Sequence, residues 1–95
     1  MPRLKVSDKE ERDRIIRAAI RGNQARFGVS DISLAAAMGL RLEGSRERIN
    51  KEPGKIRLGE MQEMAKLLKL TPVQAASIVL GRDLTAKEVK NFILM

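Results

Sequence analysis

Apolar residues along this chain recur three and four positions apart, and no run alternates with the two-residue rhythm of a strand. The pattern predicts an all-α domain of short helices. Ser7-Asp-Lys-Glu10 has the form of a capping box and opens a first helix over 8–24. That helix turns Ile15, Ile16, Ala19 and Ile20 inward and leaves Arg12, Arg14, Arg17 and Arg21 solvated. Gly22 costs about 1 kcal/mol against Ala, which predicts an early-fraying end. Phe27 is assigned to the core. Ser30 caps a second helix from Asp31 to Met38, offering Ile32, Leu34 or Ala35, and Met38 to the interior, and Gly39 stops it.

The third helix, over 41–51, has a thin apolar pattern of Leu42 and Ile49, and Pro53-Gly54 ends it. Helix four, over 58–68, carries the best stripe: Leu58, Met61, Met64 or Ala65, and Leu68. Thr71-Pro-Val-Gln74 opens a fifth helix with a cap, Pro at the first helical position and Gln closing the box. Val73, Ala76, Val79 and Leu80 face inward, and Gly81 terminates the helix. Thr85-Ala-Lys-Glu88 starts a sixth, with Val89, Phe92 and Ile93 on its apolar side.

Ninety-five residues with 43% apolar content suit a single domain with one core. It divides into a basic arm (1–7), a core (8–81) and a C-terminal helix (85–95). The absence of Cys and His removes disulfides, thiolate metal sites, imidazole ligands and Ser-His-Asp chemistry. No phosphate-cradling Gly loop or isolated carboxylate pair appears. No catalytic residue, metal site or cofactor is therefore assigned, and the chain reads as a non-enzyme. The first residues are charged with no apolar stretch behind them, so the expectation is a cytoplasmic protein without membrane association. The net charge is +7. Residues 1–27 hold eight basic and four acidic groups, 28–57 six and four, and 58–95 five and four. This bias fits a polyanion partner on the N-terminal two-thirds; a solvated mixed-charge surface is the bland reading.

The segment Gly28-Val-Ser-Asp-Ile-Ser-Leu-Ala-Ala-Ala-Met-Gly39 is the most informative in the chain. It reads as a short capped helix with an Ala-rich waist and a Gly stop, and the next eighteen residues carry six Lys or Arg. A small helix that another can cross closely, followed by a basic segment, is the layout of helix-turn-helix DNA readers. Gly28, Val29, Ser30, Leu34, Ala35, Met38 and Gly39 resemble, without a gap, the second helix of the lambda-repressor-like family of Cro and phage-repressor type. Leu58-Gly-Glu-Met-Gln-Glu-Met-Ala-Lys-Leu-Leu-Lys-Leu-Thr-Pro is similar to that family's fourth helix and the start of its fifth. The resemblance spans 12–81. It implies a five-helix bundle, here with an extra C-terminal helix, that reads duplex DNA with its third helix. Two positions depart from the pattern. Asp31 replaces the usual Gln at the head of helix two. Ser45 and Arg48 stand six and nine positions after Gly39, where the family keeps apolar residues, while Leu42 and Ile49 stand at three and ten.

Arg46 and Arg48 are the leading groove contacts, since the Arg fork matches guanine O6 and N7 for about 1–3 kcal/mol of discrimination. The alternative is pairing with Glu43, Glu47 or Glu52 on a solvated helix. Arg41 and Ser45, near the start of helix three, reach base edges or phosphate; Ser45 as a simple cap is the alternative. Lys51, Lys55 and Arg57 cluster around Pro53-Gly54 as phosphate contacts, against a solvated loop. Arg3 and Lys5 form a basic arm, and the apolar run Phe92-Ile-Leu-Met95 forms a homodimer seam or packs on the domain. The expected function is a prokaryotic or phage transcriptional regulator that binds double-stranded DNA as a homodimer and acts by operator occupancy. The competing expectation is a repressor-fold protein-interaction module (an antirepressor, antitoxin-like partner or phage assembly factor) that does not read DNA.

Overall fold

The computed structural model describes residues 8–93, and for Val89, Asn91, Phe92 and Ile93 the backbone alone. The capping box at Ser7, the arm with Arg3 and Lys5, and the side chains of the expected C-terminal seam lie outside the described residues. Six helices follow in order: α1 (Asp8–Phe27), α2 (Asp31–Met38), α3 (Leu42–Lys51), α4 (Leu58–Leu68), α5 (Pro72–Leu80) and α6 (Ala86–Ile93), with a 3-10 turn at Pro53–Lys55. No strand occurs among the described residues, so the all-α class stands.

Local chemistry sets most of these boundaries. Ser30 Oγ accepts from the Ser33 N–H at the start of α2. Thr71 and Gln74 exchange side-chain and backbone bonds at the start of α5. Gly39 takes φ 68°, and the Gly39 and Leu40 N–H groups turn back to the Ala36 and Ala35 carbonyls, a Schellman close that needs a residue without Cβ strain. Gly54 has a different reason: a Cβ there would lie 2.8 Å from the Asp13 carboxylate and 2.6 Å from the Arg12 guanidinium. The bare backbone lets the 3-10 turn sit against α1.

Helix α1 does not fray at Gly22; it continues to Phe27. Tertiary partners outweigh the glycine. The Asn23 amide donates to the Leu68 carbonyl at 2.9 Å and exchanges hydrogen bonds with Gln74 at 3.0 and 2.7 Å. This buried pair ties the end of α4 and the start of α5 to α1, and buried amides need such partners.

Ile16, Ile20, Leu34, Met38, Ile49, Met64 and Leu68 form the core, drawn from α1 to α4. Several expected core residues stand outside it. Ile32 is 69% exposed, Leu58 70% and Val79 76%. Ile32 lies more than a right angle around α2 from Leu34 and Met38, the core residues of that helix. Leu58 is the first residue of α4, beyond the edge of the core. On α5 the inner side belongs to Ser77 and Ile78, which puts Val79 opposite and leaves Leu80 exposed. Ser77 is buried because its hydroxyl donates to the Val73 carbonyl and accepts from the Leu84 N–H. Phe27 also lies outside the core: its half-exposed ring has the Arg26 and Lys69 cations each 5.3 Å from its centroid.

Truncating Ile49 to Ala is expected to cost about 2–5 kcal/mol in urea unfolding. Ile32→Ser should change stability by less than about 0.5 kcal/mol. Similar losses at the two positions would contradict the packing described.

Candidate nucleic-acid interface

Helix α3 has little apolar surface with which to hold itself. Its inner side is Leu42, Ser45 and Ile49, of which Leu42 is half-buried and the other two are buried. These positions fall three, six and ten residues after Gly39, at helical spacing, and they settle the register of α3. Ser45 occupies the first expected apolar position, and Ile49 supplies the anchor one place later than the family pattern.

That register corrects the assignment of Ser45. It is 1% exposed, and its hydroxyl donates to Met38 Sδ at 3.2 Å in the α2–α3 seam. It is neither a DNA contact nor a cap; Arg41 occupies the N-cap, with extended backbone and no side-chain bond. Burial removes Ser45 from the candidate surface.

The other candidates divide by their partners. Arg46 is exposed and donates from Nε to Asp31 Oδ2 at 2.9 Å, rather than to a glutamate of its own helix. Arg48 is turned toward the first turn of α4, its guanidinium 3.8 Å from the Glu60 carboxylate and partly covered. Lys51 approaches Glu47 at 3.9 Å and Lys55 approaches Glu52 at 3.3 Å, both well exposed, where such pairs are weak and readily exchanged for another anion. Arg41 and Arg57 are exposed and have no ion pair among the described residues. Glu43, Arg46, Glu47 and Lys51 on the outer side of α3 cancel in formal charge. The cationic character of this region comes from the residues at the ends of the helix.

The structure adds residues that the sequence reading left in solvent. Arg17 donates to the carbonyls of Ile49 and Asn50 at 3.3 and 2.8 Å, placing a positive charge on the last turn of α3, where backbone acceptors lack partners. Arg21 donates to Gln24, Asp31 and Asn50 at 2.6, 2.8 and 3.0 Å. Gln24 in turn donates to Asp31 at 2.8 Å and to the Val29 carbonyl at 3.2 Å. Arg17, Arg21 and Gln24 sit four and three positions apart, a polar stripe one step around α1 from Ile16 and Ile20. That spacing was the available signal.

Asp31 is the hub of this cluster. Hydrogen bonds from Gln24 and Arg46, with Arg21 adding a third bond and its charge, lower the carboxyl pKa from 3.8 to about 2 against the opposing effect of burial. Among the described residues no group of three His, Cys, Asp or Glu side chains is arranged to hold a metal ion, and no helix is long and apolar enough to cross a membrane. No family model, curated protein or solved structure matches this chain.

A carboxyl whose pKa is depressed on folding stabilises the fold above its unfolded pKa and loses that contribution as pH falls through the folded value. Asp31→Asn is therefore expected to be less stable than the native chain by about 1 kcal/mol near neutral pH. The difference should close between about pH 4 and pH 2. Urea titrations of both proteins across that range check it, and a difference independent of pH would remove the ionic account of the hub.

Proposed function

We propose that this chain is a double-stranded DNA-binding transcriptional regulator of prokaryotic or phage type, with α2, the Gly39 turn and α3 as its helix-turn-helix unit. The observation that carries this reading is the placement of α3. Ser45 and Ile49 fix its inner side on the core, while Glu43, Gly44, Arg46, Glu47 and Asn50 face solvent. Gly44 has nothing within 4 Å of where a Cβ would stand. A glycine in an exposed helix costs about 1 kcal/mol; here its bare backbone lets a large partner come close.

In this reading Arg41, Lys51, Lys55 and Arg57 meet phosphates and set the register, and Arg46 reads a base edge. The mechanism is operator occupancy in the cytoplasm, by binding rather than by chemistry. A homodimer would place two α3 helices about 34 Å apart on successive turns of the duplex. Val79, Leu80 and Leu84 line an apolar hollow of about 330 Å³ between α5 and α6, which suits a second copy of the chain.

One observation favours a second reading, a protein-interaction module with this fold. The outer side of α3 is charge-balanced, and the α5–α6 hollow offers apolar surface to a protein partner. Titration of the purified protein with random-sequence duplex separates the two. DNA binding is expected to weaken by a factor of about 10³ or more between 50 and 200 mM salt if six or more phosphates are met. Replacing Arg41 and Arg57 together by Gln should lower the salt slope by about 2. Absence of duplex binding at about 50 mM salt, where phosphate contacts are strongest, would sink the regulator reading and leave the interaction module.

A further inference from the structure

An acidic residue at the head of α2 opposes phosphate if the helix faces DNA, yet Asp31 does not stand as an open charge. Arg21 and Arg46 both pair with it, and Gln24 donates to it as well. Its charge is met inside the protein. What it does to Arg46 is more specific. Asp31 takes the Nε hydrogen of Arg46 at 2.9 Å, and the two Nη nitrogens of that side chain make no hydrogen bond among the described residues. Those terminal nitrogens are a parallel pair of donors, the geometry that matches O6 and N7 on the major-groove edge of guanine.

An arginine on an exposed helix otherwise samples many rotamers, and ordering them on binding weakens the contact. Here the side chain is held at its neck with its fork open. The holder is itself fixed. Arg21, which bonds to the other oxygen of Asp31, also donates to Asn50, four residues after Arg46 on α3. Helices α1, α2 and α3 thus meet at one carboxylate, and the direction of the Arg46 fork is tied to the frame of the domain.

We propose that Asp31 is a positioning residue that aims the Arg46 Nη pair at a guanine, and so sets a guanine preference at one base pair of each bound site. This rests on the duplex-reading function above. A carboxylate that merely stapled the helices would change stability and weaken all duplexes alike. A positioning carboxylate changes the base chosen at one position.

The test incubates the native protein, Asp31→Ala, Asp31→Asn, Arg46→Lys and the Asp31→Ala/Arg46→Lys double variant with a pool of random-sequence duplexes. Bound duplexes are sequenced, and thermal unfolding is followed in parallel. The native protein is expected to enrich one guanine per site. Arg46→Lys keeps the charge and loses the fork, so it should lose that preference by about tenfold or more. Asp31→Ala should weaken the same preference several-fold, Asp31→Asn less, because its amide oxygen still accepts from Nε. In the Arg46→Lys background Asp31→Ala should have no further effect on base choice. An Arg46-dependent guanine that survives Asp31→Ala unchanged overturns the positioning role, as does duplex binding with no such guanine at all. A native protein that binds no duplex overturns the DNA reading itself, and the positioning role with it.

Discussion

The polar clamp that α1 places on α3 is the constraint on which the rest of this structure depends. A ten-residue helix with Ile49 as its one fully buried apolar side chain gains about 2 kcal/mol from burying it. That is little against the entropy of ordering the segment. Arg17 supplies what the apolar side lacks by covering the last carbonyls of α3, and Arg21 reaches both α3 and the head of α2. Charged donors on otherwise unpaired carbonyls are among the stronger hydrogen bonds available to a protein surface. They hold α3 at its last turn.

The charges of α3 itself lie on both sides of the balance. Glu43 and Glu47 are balanced by Arg46 and Lys51 on the same surface. Positive charge able to attract a polyanion comes instead from Arg41 and Arg57, which have no ion pair among the described residues. In the proposed duplex-reading function such a division would separate attraction from discrimination. Phosphate contact needs charge at the rim, while base reading needs few, well-directed donors in the middle. Arg48, at first sight equivalent to Arg46, lies instead 3.8 Å from the Glu60 carboxylate at the head of α4.

Helix limits and class were legible in the sequence because they follow from local chemistry. Ser30, Gly39, Thr71, Pro72 and Gly81 act on their own few neighbours, and the observed bounds of α2 and α5 match the caps and stops read from them, while those of α4 match its apolar stripe. Ile15, Ile16, Ile20, Leu34, Met38, Met64 and Leu68 were read inward and are buried; the errors lie at other apolar positions. Ile32, Leu58 and Val79 are apolar and helical, but the phase of each helix against its neighbours turned them outward. Phe27 was assigned to the core, and it lies instead beside two cations at the end of α1.

The chain by itself determined where α2 and α5 start and stop, the excess of positive charge, and the chemistry it lacks, since capping, composition and periodicity are properties of short segments. Only the tertiary structure decided that Ser45 is interior, that Arg48 lies beside Glu60, and that Asp31 joins Arg21 and Arg46 across three helices. The partners in that cluster are ten and fifteen residues apart in the chain. No local rule pairs side chains at such distances. Their meeting is set by how α1, α2 and α3 pack around Ile20, Leu34 and Ile49.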